Sequence, residues 1–517
     1  MEFIGWMYDV AREQSPSEAF LNDLCERSLA AGYNALGLYL EHRFIYASAP
    51  WAAGAGALEP DVVPRLAARF KPRGLRIIPF LNTLGHLEGF IRAEGGQWLA
   101  EGPGSNFWSR QICATRPECG AFARGLVRDA LAAFDDEWVH VGGDETKELG
   151  DCPRCAERVA AVGKAGLYAE YYGPLCRWVL EQGRRPCLWG DMLIEHPEAL
   201  DALPRETVIF DWQYFNRPAE TLRRFRERGF DVVACPSVQS YNSVWCFLDA
   251  TRQNIDEHAD DAAALGARGV CVTTWEASFF TQYRALLPVI FAAGRRLSQR
   301  SDWSAALRAE SDDAFFAAAE ILGNRIPAAA PFIAPGTWRQ LRDRLIIRQN
   351  PFYLWQDWRS EACGAAGERV LALCAEVQRL VPAGHVLGVA NTLYRVAVEW
   401  VRCVEQAYDE YRNRRLDASA ATLRRGVDLF ERLRSGLTEA AETGGSRADP
   451  DRLNGLISHV RAVADRVAAL RVERGLAARE TPAADRRAPV YLPAFETISH
   501  IGYIRDDQAA WRTGAFR

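Results

Sequence analysis

Over its first 300 residues the chain alternates short apolar runs with amphipathic stretches. Nothing else in the 517 residues constrains the fold as strongly. The runs are Phe3–Met7, Ala35–Leu40, Leu75–Leu81, Trp138–Val141, Pro186–Trp189, Thr207–Phe210, Asp231–Cys235 and Gly269–Trp275. They are rich in β-branched, aromatic and aliphatic residues and read as strands. Helical patterns lie between them, near 16–31, 61–70, 118–134 and 167–182, and an apolar helix follows at 283–297. Strands separated by helices run parallel. Eight such units in this length fit a closed (β/α)8 TIM barrel. The alternative, an open doubly wound sheet, usually places a glycine-rich phosphate turn after its first strand. Here that strand leads into Asp9-Val10-Ala11-Arg12.

Beyond residue 300 the strand pattern stops. The sequence predicts a barrel over 1–300, a C-terminal mainly α-helical domain over 301–480 and a tail over 481–517. Long helical patterns cover Val386–Arg412 and Ala420–Leu433, with Ser419 expected as the N-cap of the second. No motif reveals what this region does: it could dimerise, cap a site or brace the barrel. A net charge of −5 offers nothing to nucleic acid or an anionic membrane. Met1–Trp6 lacks the pattern of a signal peptide. No apolar run nears the roughly 20 residues that span a bilayer. Thirteen cysteines without an export signal are expected as reduced thiols in a cytoplasm. Cys152-Pro153-Arg154-Cys155, with Cys113 and Cys119 upstream, has four thiols for a structural zinc. A single CxxC is weak, and Cys113-x5-Cys119 is not a usual spacing, so free thiols are favoured.

Barrel enzymes place their chemistry at the carboxyl ends of the strands. Those ends collect Asp9 and Arg12; Asn82, His86 and Glu88; Asp144 and Glu145; Trp189 and Asp191; Asp211 and Trp212; and Trp275 and Glu276. Gly142-Gly143 delivers the adjacent acids Asp144 and Glu145; the bland alternative is a helix start capped by Asp144. Carboxylates, a histidine, an arginine and three tryptophans on one face suit a sugar. Its CH faces stack on indoles and its hydroxyls take charged hydrogen bonds. Arg12 could equally be a surface ion pair, each tryptophan could be core, and His86 and His140 could be structural.

His140-Val141-Gly142-Gly143-Asp144-Glu145 resembles the signature of glycoside hydrolase family 20, the β-N-acetylhexosaminidases. Met7-Tyr8-Asp9-Val10-Ala11-Arg12 is similar to that family's first-strand motif, and Leu84-Gly85-His86-Leu87-Glu88 to its Gly-His element, closest to the hexosaminidase D-like branch. The resemblance covers roughly residues 3–290 and implies exo-acting, retaining removal of terminal GlcNAc or GalNAc without a cofactor. It implies substrate-assisted catalysis, in which the sugar's 2-acetamido oxygen attacks C1 to give an oxazolinium. Neighbouring acids suit this, because conventional acid and nucleophile straddle the bond about 5 Å apart. By the same resemblance Glu145 is the general acid and then base, and Asp144 orients the acetamido N–H. Arg12 holds O3 and O4, Trp189, Trp212 and Trp275 wall the acetamido pocket, and His86 bonds the acid pair.

Two positions depart from the family pattern. Trp275-Glu276 lacks the usual spacer of Trp-x-Glu, so Glu276 is only a candidate for O4 or O6. The resemblance implies a tyrosine for the acetamido oxygen, for which the candidate is Tyr241, with Tyr214 as rival. Two other readings stand: a conventional glycosidase with Glu276 or Asp211 as nucleophile, and a non-hydrolytic sugar-binding barrel.

Overall fold

A computed structural model describes residues 1–469 except 13, 55, 103–108, 242, 276–279, 281–282, 331–343, 346–350, 356–357, 383 and 443–445. Eight parallel strands close into a barrel in chain order, with β1 hydrogen-bonded to β8. They are β1 Phe3–Asp9, β2 Ala35–Tyr39, β3 Arg76–Phe80, β4 Trp138–His140, β5 Arg185–Trp189, β6 Val208–Trp212, β7 Asp231–Cys235 and β8 Gly269–Val272. The outer helices are α1 Glu18–Ala30, α2 Val62–Phe70, α3 Pro117–Ala133, α4 Pro153–Glu181, α5 Ala219–Glu227, α6 Leu248–Ala264 and α7 Tyr283–Gln299.

The period of two along each strand sorts side chains between two cores. Phe3, Met7, Tyr39, Phe80, Trp138, Trp189, Phe210, Val233 and Cys271 fill the barrel interior. Trp6, Tyr8, Leu36, Leu188, Ile209 and Val232 face the helices. Interior aromatics interlock: Phe3 stacks on Trp138 at 5.1 Å, and the His140 ring lies over Phe80 at 4.7 Å. Such a pair adds about 0.5–1.5 kcal/mol beyond its burial. Extending the same parity past each strand points Glu41, Asn82, Asp191, Trp212 and Trp275 toward the barrel axis at the carboxyl end. It turns Asp211 outward.

The expected elements are present, with differences at their ends. β8 stops at Val272, short of the expected Trp275. Helix α4 begins at Pro153 rather than near Leu167, because Pro153 occupies its first turn and a non-helical Gly163 (φ 73°, ψ 170°) divides it. That glycine breaks the helical period that sequence reasoning follows.

Past α7 the described elements are helical, the longer ones being α8 Trp303–Glu310, α9 Asp313–Glu320, α10 Ala365–Leu380, α11 Gly388–Arg412, α12 Leu416–Glu442 and α13 Asp449–Ala469. Ser419 does not cap a helix. It is buried inside α12, where its hydroxyl donates to the Ala407 carbonyl at 2.7 Å. The helix starts a turn earlier, and Ser419 bonds across to α11. The helical region also reaches the barrel's β8 loop, where the Phe280 N–H donates to Asp449 at 2.8 Å. No helix among the described residues is long and apolar enough to cross a membrane.

Candidate active site

The β4 strand sets the site. After His140 the backbone turns through Gly142 (φ 84°) and Gly143 (φ 104°), a region that side chains rarely adopt. A Cβ on Gly142 would meet Asn82 Oδ1 at 2.6 Å, and one on Gly143 the Tyr168 hydroxyl at 2.6 Å. The turn therefore presents Asp144 and Glu145 at the carboxyl end and nowhere else. Glu145 itself has φ 44°, His86 φ 52° and Glu41 φ 40°. Three non-glycine residues held in the left-handed region around one opening mark a site whose geometry is enforced by its surroundings.

His86 joins the two acids. Its Nε2 lies 3.3 Å from Asp144 Oδ2 and 3.2 Å from Glu145 Oε2. Arg110 donates from Nη2 to His86 Nδ1 at 3.0 Å and from Nε to Glu88 Oε1 at 2.8 Å. Because Arg110 needs a lone pair at Nδ1, the imidazole carries its proton on Nε2 and offers it to the acids. The hydrogen bond from His86 pulls the Glu145 carboxyl down to about 2, while burial opposes it. Burial alone would raise Glu88, but Arg110, His86 and Arg92 together hold it below its usual value.

Asp191, next after Trp189-Gly190, supports the other side. It accepts the Glu145 N–H at 2.9 Å and the Trp212 indole N–H at 3.3 Å. Burial, then the charge of Asp144, push its carboxyl up to about 7. Asp144 is buried, and among the described residues its Oδ1 has no hydrogen-bond partner. A buried carboxylate oxygen without a donor is costly, about 1–3 kcal/mol or more, so this atom is built to receive one.

The opposite wall carries the remaining candidates. Arg12 is buried, with Nη1 3.5 Å from Asp9 Oδ1 and 3.4 Å from Glu41 Oε1. Its guanidinium lies over Tyr39 at 5.2 Å and Trp275 at 5.4 Å. Burial raises Glu41 to about 7 against the pull of Arg12. Trp275 is partly exposed, packs edge-on to Tyr39 at 4.8 Å and lies 5.8 Å from Trp189. Trp212 is partly exposed too, and stacks near Tyr214 at 5.0 Å. Trp189 differs. It is fully covered, close to His140 (4.3 Å), so its indole is the floor beneath the other two. Tyr241 and Tyr214 lie ring to ring at 5.5 Å, and the Tyr214 hydroxyl accepts from Trp275 Nε1 and Thr273. Glu276 falls outside the described residues.

Some expected residues are not brought together. Asp211 faces outward and accepts from Thr221 and Gln213, away from the acid pair. Cys119 donates to the Leu99 carbonyl at 3.7 Å and is not one of the mutually close ligand groups, which are Glu101 and the other three cysteines. Sequence reasoning missed Glu41 and Arg110. Glu41 lies just past β2, where the strand-end rule would have found it. Arg110 sits in a long loop with no local pattern to reveal it.

Residues 56–278 match the family model for the catalytic domain of glycosyl hydrolase family 20. A β-hexosaminidase of Emericella nidulans is 23% identical over 201 residues, covering 34% of this chain and 31% of that protein. A β-hexosaminidase of Akkermansia muciniphila is 22% identical, over 38% of this chain and 39% of its own. The matched regions thus span about a third of these curated relatives. The crystal structure of a Flavobacterium johnsoniae chitobiase aligns over 94% of this chain and 74% of its own, with TM-score 0.50 and 12% identity, a likeness of fold.

Proposed function

From the premise that this barrel belongs to glycosyl hydrolase family 20, we propose that the chain is an exo-acting, retaining β-N-acetylhexosaminidase. It removes terminal GlcNAc or GalNAc by substrate-assisted catalysis. The observation that carries this reading is the buried Asp144 Oδ1 without a donor, one residue from Glu145. An acetamido N–H is a neutral donor of the right kind. Bonded to Asp144 it turns the acetamido oxygen toward C1 and gains strength as the nitrogen becomes positive in the oxazolinium. Holding an internal nucleophile in place supplies a large effective molarity.

Glu145 protonates the leaving oxygen and then activates water. In the ligand-free arrangement the bond from His86 keeps it ionised. A sugar that fills the opening and displaces water raises it, as general acids require. His86 and Asp191 are positioning residues, one on the Glu145 carboxylate and one on its backbone N–H. Arg12, backed by Asp9 and Glu41, holds the outer hydroxyls. Trp212 and Trp275 face the acetamido methyl over the Trp189 floor, and Tyr241 donates to the acetamido oxygen. We place the protein in a reducing cytoplasm, in keeping with thirteen cysteines that form no disulfide.

The conventional two-carboxylate reading loses one of its nucleophiles, since Asp211 is turned toward α5. The test is a thiazoline that mimics the oxazolinium. Wild type should bind it far more tightly than GlcNAc, and Asp144→Asn should lose that preference. Equal binding of the thiazoline by both proteins would refute the assignment.

A further inference from the structure

Beside the catalytic turn lies a second buried polar cluster that the chemistry above does not use. Cys113, at the end of the long loop after β3, has its Sγ 3.7 Å from Cys152 Sγ and 3.7 Å from Cys155 Sγ. Glu101, from the other limb of that loop, has Oε2 3.3 Å from Cys155 Sγ. The four ligand atoms lie within 4.8 Å of one another, and all four residues are buried.

The dimensions are those of a tetrahedral site. With zinc–sulfur bonds of about 2.3 Å, a tetrahedral edge between sulfurs is about 3.8 Å. With a zinc–oxygen bond of about 2.0 Å, the sulfur–oxygen edge is about 3.5 Å. Both agree with the two sulfur–sulfur distances and the one sulfur–oxygen distance given above, and the remaining pairs lie within 4.8 Å. A disulfide would need about 2.05 Å. The surroundings are also built. Cys152 caps α4, and the Cys155 N–H donates back to Cys152 Sγ at 3.4 Å, so Cys152-Pro153-Arg154-Cys155 forms a knuckle. The Cys152 N–H donates to Glu101 Oε1 at 3.2 Å, and Thr115 Oγ1 lies 3.5 Å from Cys113 Sγ and 3.3 Å from Cys155 Sγ. Outer partners of this kind orient metal ligands.

We propose that Glu101, Cys113, Cys152 and Cys155 form a structural zinc site, with Cys119 outside it. Loss of the thiol protons on binding makes three thiolates, and the closed ligand set leaves no position for substrate. The metal ties together three chain segments. Arg110, three residues before Cys113, reaches His86 and Glu88, and Glu148, four before Cys152, accepts from the Arg110 N–H at 2.7 Å. The clasp therefore fixes the loop that holds His86 on the acid pair.

Metal analysis of the full chain, expressed in zinc-supplemented medium and purified under reducing conditions without chelator, tests this. The proposal expects one zinc per chain. It expects full retention in Cys119→Ala and loss in the double variant Cys113→Ser/Cys155→Ser. Cobalt in place of zinc should give the intense visible bands of a tetrahedral thiolate site. Wild-type protein that holds no zinc, and takes none when titrated, would overturn the proposal. So would zinc that survives Cys113→Ser/Cys155→Ser, or that is lost in Cys119→Ala. The metal content of wild type needs no variant to fold, and none of these outcomes depends on hydrolase activity.

Discussion

Two buried polar clusters hang on the same pair of loops, and each is incomplete in a different way. Around Glu145 many of the groups bond one another through His86, Arg110 and Asp191, and among the described residues the buried acceptors without a donor include Asp144 Oδ1 beside the opening. Around Cys113 the groups are all acidic or nucleophilic, and no cation is among the four. A neutral donor suits the first cluster, and a cation that replaces the thiol protons suits the second. A site awaiting substrate can already hold its acids with fixed hydrogen bonds, because it must be stable empty. A site awaiting a permanent ion need not be.

The largest effects should come from breaking the first cluster. Glu145→Gln should lower kcat/KM on poor leaving groups by about 10²–10⁴. Asp144→Asn should lower it by about 10²–10³ even on good ones, since the oxazolinium loses its partner. Steady-state kinetics with circular dichroism as the folding control check both. Breaking the second should act at a distance. Loss of the clasp loosens Arg110 and His86, and we expect about 10- to 100-fold lower kcat with a lowered Tm. His86→Ala at intact metal should reproduce the kinetic part alone.

The comparison sharpens in pH dependence, where two contacting acids have opposite signs. Glu145 is lowered to about 2 by the His86 bond. Its contribution is present above the ordinary carboxyl range and is lost as pH falls toward 2. His86→Ala should shrink that acid-side loss, and the Glu145 carbon resonance should titrate higher. Asp191 is raised from 3.8 to about 7, mainly by burial. The folded state then binds more protons than the unfolded one between those values, so stability declines as pH rises through them. Asp191→Asn should flatten that decline in denaturant titrations. The smallest effect belongs to Asp211→Asn. Its side chain faces Thr221 on α5, and turnover should change less than about twofold.

The barrel was legible because the strands are short and apolar and most are followed by a helix, a signal that survives small boundary errors. The acid pair was legible because Gly142-Gly143 needs a special backbone. Several residues contributed by long loops were not. Arg110, Glu101 and Glu148 carry no periodicity, and only the folded chain brings them beside β4. The zinc ligand set suffered in the same way: counting cysteines selected Cys119, which is nearer in sequence, over Glu101, which is nearer in space. In the helical region, Ser419 looked like a cap because small polar residues favour helix starts. Inside α12 its hydroxyl found a carbonyl of α11 instead. Periodicity gave the helices there but nothing about which faces meet.

Asp144 is proposed to receive the 2-acetamido group of a sugar that supplies its own nucleophile. This role is tested most directly by kcat/KM on p-nitrophenyl β-N-acetylglucosaminide and p-nitrophenyl β-glucoside, which differ only at C2. The expected result is a preference of at least about 10³ for the N-acetylated substrate, falling sharply in Asp144→Asn. Comparable turnover of the two by wild type would contradict it.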